Sequence, residues 1–144
     1  MRKTIKMKKQ EYKYLTVLLI DDNELDNFIN QKVIEGSSFS ERIYTTTSGL
    51  SALEFLKNLY VDKSKLEEMR PQVIFVDINM PLMDGFQFIE QFFKLPKELT
   101  SKSKLVILTS SFNPADKLTA HKIDPNITFL NKPLTGESLR LISV

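Results

Sequence analysis

Four short apolar runs punctuate this chain: Leu15 to Ile20, Val73 to Val76, Leu105 to Leu108 and Ile127 to Leu130. Each is rich in Val, Ile, Leu or Phe and nearly free of polar interruption. That pattern marks strands buried on both faces. A fifth, more polar strand is expected from Arg42 to Thr46. Between the strands lie segments of helical period. Asn23 can cap a helix that carries Leu25, Phe28, Ile29 and Val33 and stops at Gly36. Ser48 can cap a second, with Leu50, Leu53 and Leu56 on one face. Pro81 and Asp84-Gly85 mark a turn, after which Phe86, Ile89, Phe92 and Phe93 mark a third helix, with these aromatics as core. Asn113-Pro114 opens a fourth, which ends before Asp124-Pro125, and Thr135 opens a short last one. Val61 to Pro71 reads as a loop or frayed helix end, and Pro96 to Lys104 as a loop. Strands that alternate with helices build an α/β fold of three layers: a doubly wound, five-stranded parallel sheet with helices on both faces.

Right-handed crossovers bring the C-terminal end of every strand to the same edge, and ligands bind at that edge. The residues there are not ordinary loop residues. Asp21 and Asp22 follow the first strand, Asp77 follows the third, Thr109 ends the fourth, and Lys132 follows the last. Any one of them has a plain structural reading as a cap, turn or solvated side chain. Together, at one edge, they make a site for a hard cation and a phosphoryl group. Carboxylates brought within a few ångströms repel one another, which raises at least one pKa unless a cation intervenes. Mg²⁺ (or Mn²⁺) suits an all-oxygen set of this kind, and no cluster of His or Cys invites a softer metal. Asp77 can act as a nucleophile on phosphorus. The cation and Lys132 then neutralise phosphoryl oxygens, and the Thr109 hydroxyl can donate to one of them. The single histidine, His121, falls in the fourth helix and is expected to be a solvated surface residue.

Composition removes other classes. There is no Cys, which excludes disulfides, thiolate metal sites and thiol nucleophiles. No apolar run approaches the roughly 20 residues needed to span a bilayer. The basic start lacks the apolar core of a signal peptide, so the expected location is the cytoplasm. Residues 1–14 hold Arg2, Lys3, Lys6, Lys8, Lys9 and Lys13 against the one acid Glu11, while the whole chain is only +2. The body at 15–144 is therefore mildly acidic, and 1–14 is expected to be a basic, solvated tail.

The acid pair Asp21-Asp22, the block Val76-Asp77-Ile78-Asn79-Met80-Pro81 with Met83-Asp84-Gly85, Thr109-Ser110 and Lys132-Pro133 together resemble the receiver domain of two-component response regulators. The resemblance runs from about Leu15 to Val144. It implies the flavodoxin-like sheet order 2-1-3-4-5. It also implies that Asp77 takes a phosphoryl group from a phosphohistidine on a sensor histidine kinase or a histidine phosphotransfer protein. In that family Asp22 is the main metal-ligating acid, Asp21 acts beside it through water, and Asn79 ligates through its backbone carbonyl. Thr109 and Phe129 form a switch: Thr109 moves toward the phosphoryl group and the ring at 129 turns inward, biasing a two-state equilibrium toward a form that regulates a partner.

Such a protein is not a conventional enzyme, although it catalyses its own phosphorylation and slow autodephosphorylation. Ser111 offers neither a carboxylate nor an amide to orient an attacking water, so that loss is expected to be slow. The resemblance further implies a stand-alone receiver without a DNA-binding domain or membrane span, a monomer or weak dimer, whose downstream protein target the sequence does not name. One rival is a receiver fold that binds partners without phosphorylation; such forms usually lack an acid, the Thr or the Lys, and all are present here. A phosphatase of the haloacid dehalogenase type is a more distant one. It requires Asp-x-Asp near the N-terminus and a late acid pair, whereas this chain has Asp77-Ile78-Asn79 and an early pair.

Overall fold

The computed structural model describes residues 11–142. Five parallel strands, β1 (Tyr14–Ile20), β2 (Ser40–Thr46), β3 (Val73–Val76), β4 (Lys104–Thr109) and β5 (Thr128–Asn131), form one sheet in the order β2-β1-β3-β4-β5. This is the order expected of the receiver type. Residues 1–10 of the expected tail lie outside the described residues, and Tyr14 is already the first residue of β1.

Alternation along each strand divides the apolar side chains between two cores. Leu18, Ile20, Ile74, Val76, Leu105 and Ile107 face α2 (Gly49–Val61), α4 (Gly85–Phe92) and α6 (Pro114–Ile123). Val17, Leu19, Val73, Phe75, Val106 and Leu108 face α1 (Glu24–Gly36) and α7 (Gly136–Arg140). The expected caps are in place. Asn23, Ser48, Asn113 and Thr135 each accept from a backbone N–H in the first turn of their helix. Asp84, expected only as a turn residue, caps α4 in a reciprocal box with Gln87.

Two helices turn differently from the expectation. In α1 the stripe Leu25, Phe28 and Ile29 points outward, and the buried residues are Asn27, Asn30 and Ile34. The cause is a polar anchor. Asn27 Nδ2 donates to the carbonyls of Asp21 (3.0 Å) and Thr46 (3.2 Å), groups at the ends of β1 and β2. In α2 Leu50 is exposed, and the inward face is Ala52, Leu53, Leu56 and Leu59.

The segment expected as a loop or frayed helix end and the one expected as a loop are both partly helical. A 3₁₀ turn (Lys63–Lys65) and α3 (Leu66–Met69) occupy the first, and α5 (Lys97–Thr100) the second. Leu66 and Leu99 pack on Leu59 in a small third core. Arg70, buried at 7% exposure, ties the two segments by donating to the Glu98 carbonyl and the Glu67 carboxylate. In the third helix Phe88, Ile89 and Phe92 are core, whereas Phe93 is exposed. His121 is half-buried rather than solvated, with Nε2 3.2 Å from the Ile127 carbonyl. Among the described residues no helix is long and apolar enough to cross a membrane.

Candidate functional site

Sheet register explains why two acids meet. Ile20 pairs with Val76, so the next residues, Asp21 and Asp77, lie level at the strand ends, and Asp77 N–H donates to the Ile20 carbonyl (3.0 Å). Ile20 and Val76 both face the α2 side, so alternation turns both acids toward α1. Asp21 and Asp77 are buried while Asp22 is exposed, and each of the three has a carboxylate oxygen within 4.8 Å of the others.

Lys132 reaches this cluster from the far side of the sheet. Its backbone N–H donates to the Thr109 carbonyl (2.8 Å), which places its stem at the end of β4 and β5. The ammonium then donates to Asp21 Oδ2 at 2.5 Å, Asp26 Oδ2 at 2.9 Å and Asp77 Oδ2 at 3.5 Å. Asp21 is held at its other oxygen by the Asn23 N–H (2.9 Å). Burial pushes the Asp21 carboxyl up. The bonds from Lys132 and Asn23 pull it back, and the charge of Asp77 adds a smaller push upward. The shift expected from mutual repulsion is thus present, but burial is its main cause. Burial pulls the Lys132 ammonium down, yet its bonds to Asp21 and Asp26 and the charges of Asp77 and Asp21 together hold it above the ordinary lysine range.

A hard cation fits what these residues offer. Asp77 Oδ1 is buried and has no hydrogen-bond partner among the described residues. A buried carboxylate oxygen left unsatisfied is costly unless a ligand completes it. Three converging carboxylates supply the oxygen donors that Mg²⁺ or Mn²⁺ takes.

Thr109 is fully buried at the end of β4, and its Oγ1 accepts from the Ser111 N–H (3.2 Å). The loop beyond it is pinned: Asn131 Nδ2 donates to the Ser111 carbonyl (2.7 Å), and Ser111 Oγ donates to Asp116 (2.5 Å). Phe129 on β5 is half-buried against the α2-side core. The Asn79 residue is exposed on the loop after Asp77. That loop is clamped by Gly85, whose N–H donates to the Ile78 carbonyl (2.9 Å).

Sequence reasoning missed Asp26. Its position in the first turn of α1 is one where any acid is favoured by the helix dipole, so its type alone carried no signal. It did not foresee the role of Gly85 either, which appears only once α4 is seen against the Asp77 backbone.

Comparison with known proteins agrees with this geometry. The family model described as response regulator receiver domain matches residues 17–142. The protein-glutamate methylesterase/protein-glutamine glutaminase of Treponema pallidum is 30% identical over 131 residues, which is 90% of this chain but 29% of that protein. The chain therefore spans less than a third of that relative. Response regulator Rcp1 of Synechocystis is 26% identical over 111 residues, covering 76% of this chain and 71% of the relative. The Mn²⁺-bound form of Rcp1 superposes with a TM-score of 0.68 at 25% identity, over 88% of each chain. A two-component response regulator from Cytophaga hutchinsonii superposes with a TM-score of 0.77 at 33% identity, over 88% of this chain and 91% of that one. The acids at one sheet edge, the strand order and the family match across the sheet lead to one conclusion: this chain belongs to the response regulator receiver domain family.

Proposed function

We propose that Asp77 is the phosphoacceptor of a Mg²⁺-dependent transfer from a phosphohistidine donor. The observation that carries this reading is the state of its carboxylate. One oxygen is buried without a partner among the described residues, the other faces an ammonium, and two more acids stand beside it. In the transfer an Asp77 oxygen bonds to phosphorus, the P–N bond to the donor imidazole breaks, and the electron pair returns to that nitrogen. Asp21, Asp22, Asp77 and the Asn79 backbone carbonyl would hold the cation, which when bound neutralises charge on the phosphoryl oxygens. Lys132 neutralises another oxygen, and Thr109 donates its hydroxyl to the group. Thr109 leaves its bond to the Ser111 N–H to do so, and Phe129 turns into the space released, which is how the state of Asp77 reaches a downstream protein. Autodephosphorylation is slow, because the hydroxyl at 111 is committed to Asp116.

Intact mass after incubation with acetyl phosphate tests this. A gain of one phosphoryl group is expected with Mg²⁺, and none with EDTA or in Asp77→Ala. A gain that survives Asp77→Ala would move the acceptor elsewhere. The same sample followed after donor removal reads the lifetime, and loss within seconds would contradict slow hydrolysis.

The donor is a protein that docks on α1. The outward Leu25, Phe28 and Ile29 form an apolar stripe on the same helix whose first turn reaches the acid cluster. Three such residues on one exposed face mark an interaction surface. Phe28→Asp is expected to slow transfer from a phosphorylated histidine phosphotransfer protein by roughly tenfold or more, the scale of an aromatic hot spot. Phosphorylation by acetyl phosphate, which needs no docking face, should keep its wild-type rate. An equal loss with both donors would mean that the substitution acts on the site and not on docking. We place this exchange in the cytoplasm, with a histidine kinase or phosphotransfer protein as the donor.

A further inference from the structure

The ammonium of Lys132 has three protons and three acidic neighbours, and the distances rank them: Asp21 at 2.5 Å, Asp26 at 2.9 Å, Asp77 at 3.5 Å. Two of these acids have a second claimant. Asp21 and Asp77 belong to the cluster that can hold a cation, together with Asp22, whereas Asp26 does not. At Asp77 the Oδ1 without a partner among the described residues can meet the cation. Both Asp21 oxygens already accept, Oδ1 from the Asn23 N–H and Oδ2 from Lys132, so a cation that takes Asp21 Oδ2 displaces the ammonium from its shortest bond. The displaced ammonium is 13% exposed, too enclosed to be solvated freely in place. Leaving a buried charge unpaired is the costly outcome for any ion pair. Asp26 removes that cost, because it stands on α1, outside the three-carboxylate cluster, and already accepts from Nζ. Its own side chain is 35% exposed, so water covers what Lys132 leaves uncovered.

We propose that Asp26 is a positioning residue for this site: the resting counter-ion of Lys132, which frees Asp21 for the cation while keeping the ammonium beside the phosphoacceptor. The proposal rests on reading Asp21, Asp22 and Asp77 as the cation site. It differs from the plain role of an acid in a helix first turn, which would stabilise α1 through the dipole and leave cation affinity independent of Lys132.

A double-mutant cycle on the full chain decides, with Mn²⁺ as the probe and the electron paramagnetic resonance signal of free Mn²⁺ as the readout. Asp26→Asn is expected to weaken Mn²⁺ binding about tenfold, a coupling within the range for residues in direct contact. Lys132→Met should tighten binding, because the competing ammonium is gone. In that background Asp26→Asn should change affinity by less than about twofold, since its partner is absent. An equal loss in both backgrounds would overturn the proposal and show Asp26 acting on the cation through its charge alone. No loss in the wild-type background would overturn it as well. If the wild-type chain binds no Mn²⁺, the cation-site reading fails first and takes this one with it. Should Lys132→Met not fold, Asp26→Glu provides the second test. Retaining a carboxylate for Lys132 should preserve wild-type affinity, and a Glu variant as weak as the Asn variant would refute the role.

Discussion

Gly85→Ala is expected to destabilise the fold by about 3 kcal/mol, at the upper end of the usual cost of overpacking, and to slow phosphorylation of Asp77 about a hundredfold, as misplacement of a reacting group by an ångström does. The reason lies in what a methyl group would meet. A Cβ at Gly85 would overlap the Asp77 carbonyl oxygen and lie 2.9 Å from Ile78 Cα and 3.0 Å from the Asp77 carbonyl carbon. All three are backbone atoms, which cannot swing aside. Either α4 lifts off the sheet, pulling Phe88, Ile89 and Phe92 out of positions they fill at 1% exposure or less, or the Asp77 peptide turns and re-aims its carboxylate.

The other glycines provide contrast. Among the described residues a Cβ at Gly36 has nothing within 4 Å, and one at Gly49 meets the end of the flexible Met83 side chain. Gly36→Ala should therefore be close to neutral. Urea unfolding and the initial rate of mass gain with acetyl phosphate measure both effects. A Gly85→Ala protein with wild-type stability and rate would show that α4 and the Asp77 loop do not constrain one another.

Much of this architecture is readable before any coordinates. Apolar runs mark β1, β3, β4 and β5, and helix caps such as Asn23 and Asn113 are visible because a cap is a local arrangement of one side chain and the next few N–H groups. The meeting of Asp21 with Asp77 is also legible, because a parallel sheet aligns strand ends and alternation then fixes the side on which each acid lies.

What sequence cannot supply is contact between elements. Periodicity finds the stripe Leu25, Phe28 and Ile29 on α1 but not which way it faces. Burying the stripe would have been the usual outcome, yet Asn27 is anchored to two strand-end carbonyls and turns it outward. The four-residue helices α3 and α5 are too short to show a period, and their apolar residues Leu66 and Leu99 gain meaning only where they meet Leu59. Asp26 and Gly85 are the same kind of omission. One matters because Lys132 arrives from 106 residues away in sequence, the other because a helix start lies on the backbone of Asp77.

Lys132→Met carries the largest expected effect on the site. Without added divalent cation it should lose about 3 kcal/mol of stability, the cost of breaking an enclosed ion pair by removing one partner. Asp21 would keep only the Asn23 N–H, and Asp77 would be left with no cation beside it. Phosphorylation from acetyl phosphate should fall to background, because no ammonium remains to neutralise the incoming oxygens.

The pH dependence has a definite sign. The Asp21 carboxyl is already raised above 3.8 by burial, with Lys132 opposing that rise. A folded-state carboxyl pKa above the unfolded one means that the folded form holds the proton better. Stability is therefore lost as pH climbs from the unfolded value through the folded one. Deleting Lys132 removes the opposing pull and extends that loss to higher pH. The gap in unfolding free energy between wild type and variant should therefore be wide at neutral pH and narrow as pH falls toward the carboxylate range. Added Mg²⁺ should close it at neutral pH, because the cation takes over the acids the ammonium has left. Urea titrations at several pH values, with and without Mg²⁺, measure all of this. A gap that neither acid nor Mg²⁺ narrows would mean that Lys132 contributes through packing of its stem, not through its charge on Asp21 and Asp77.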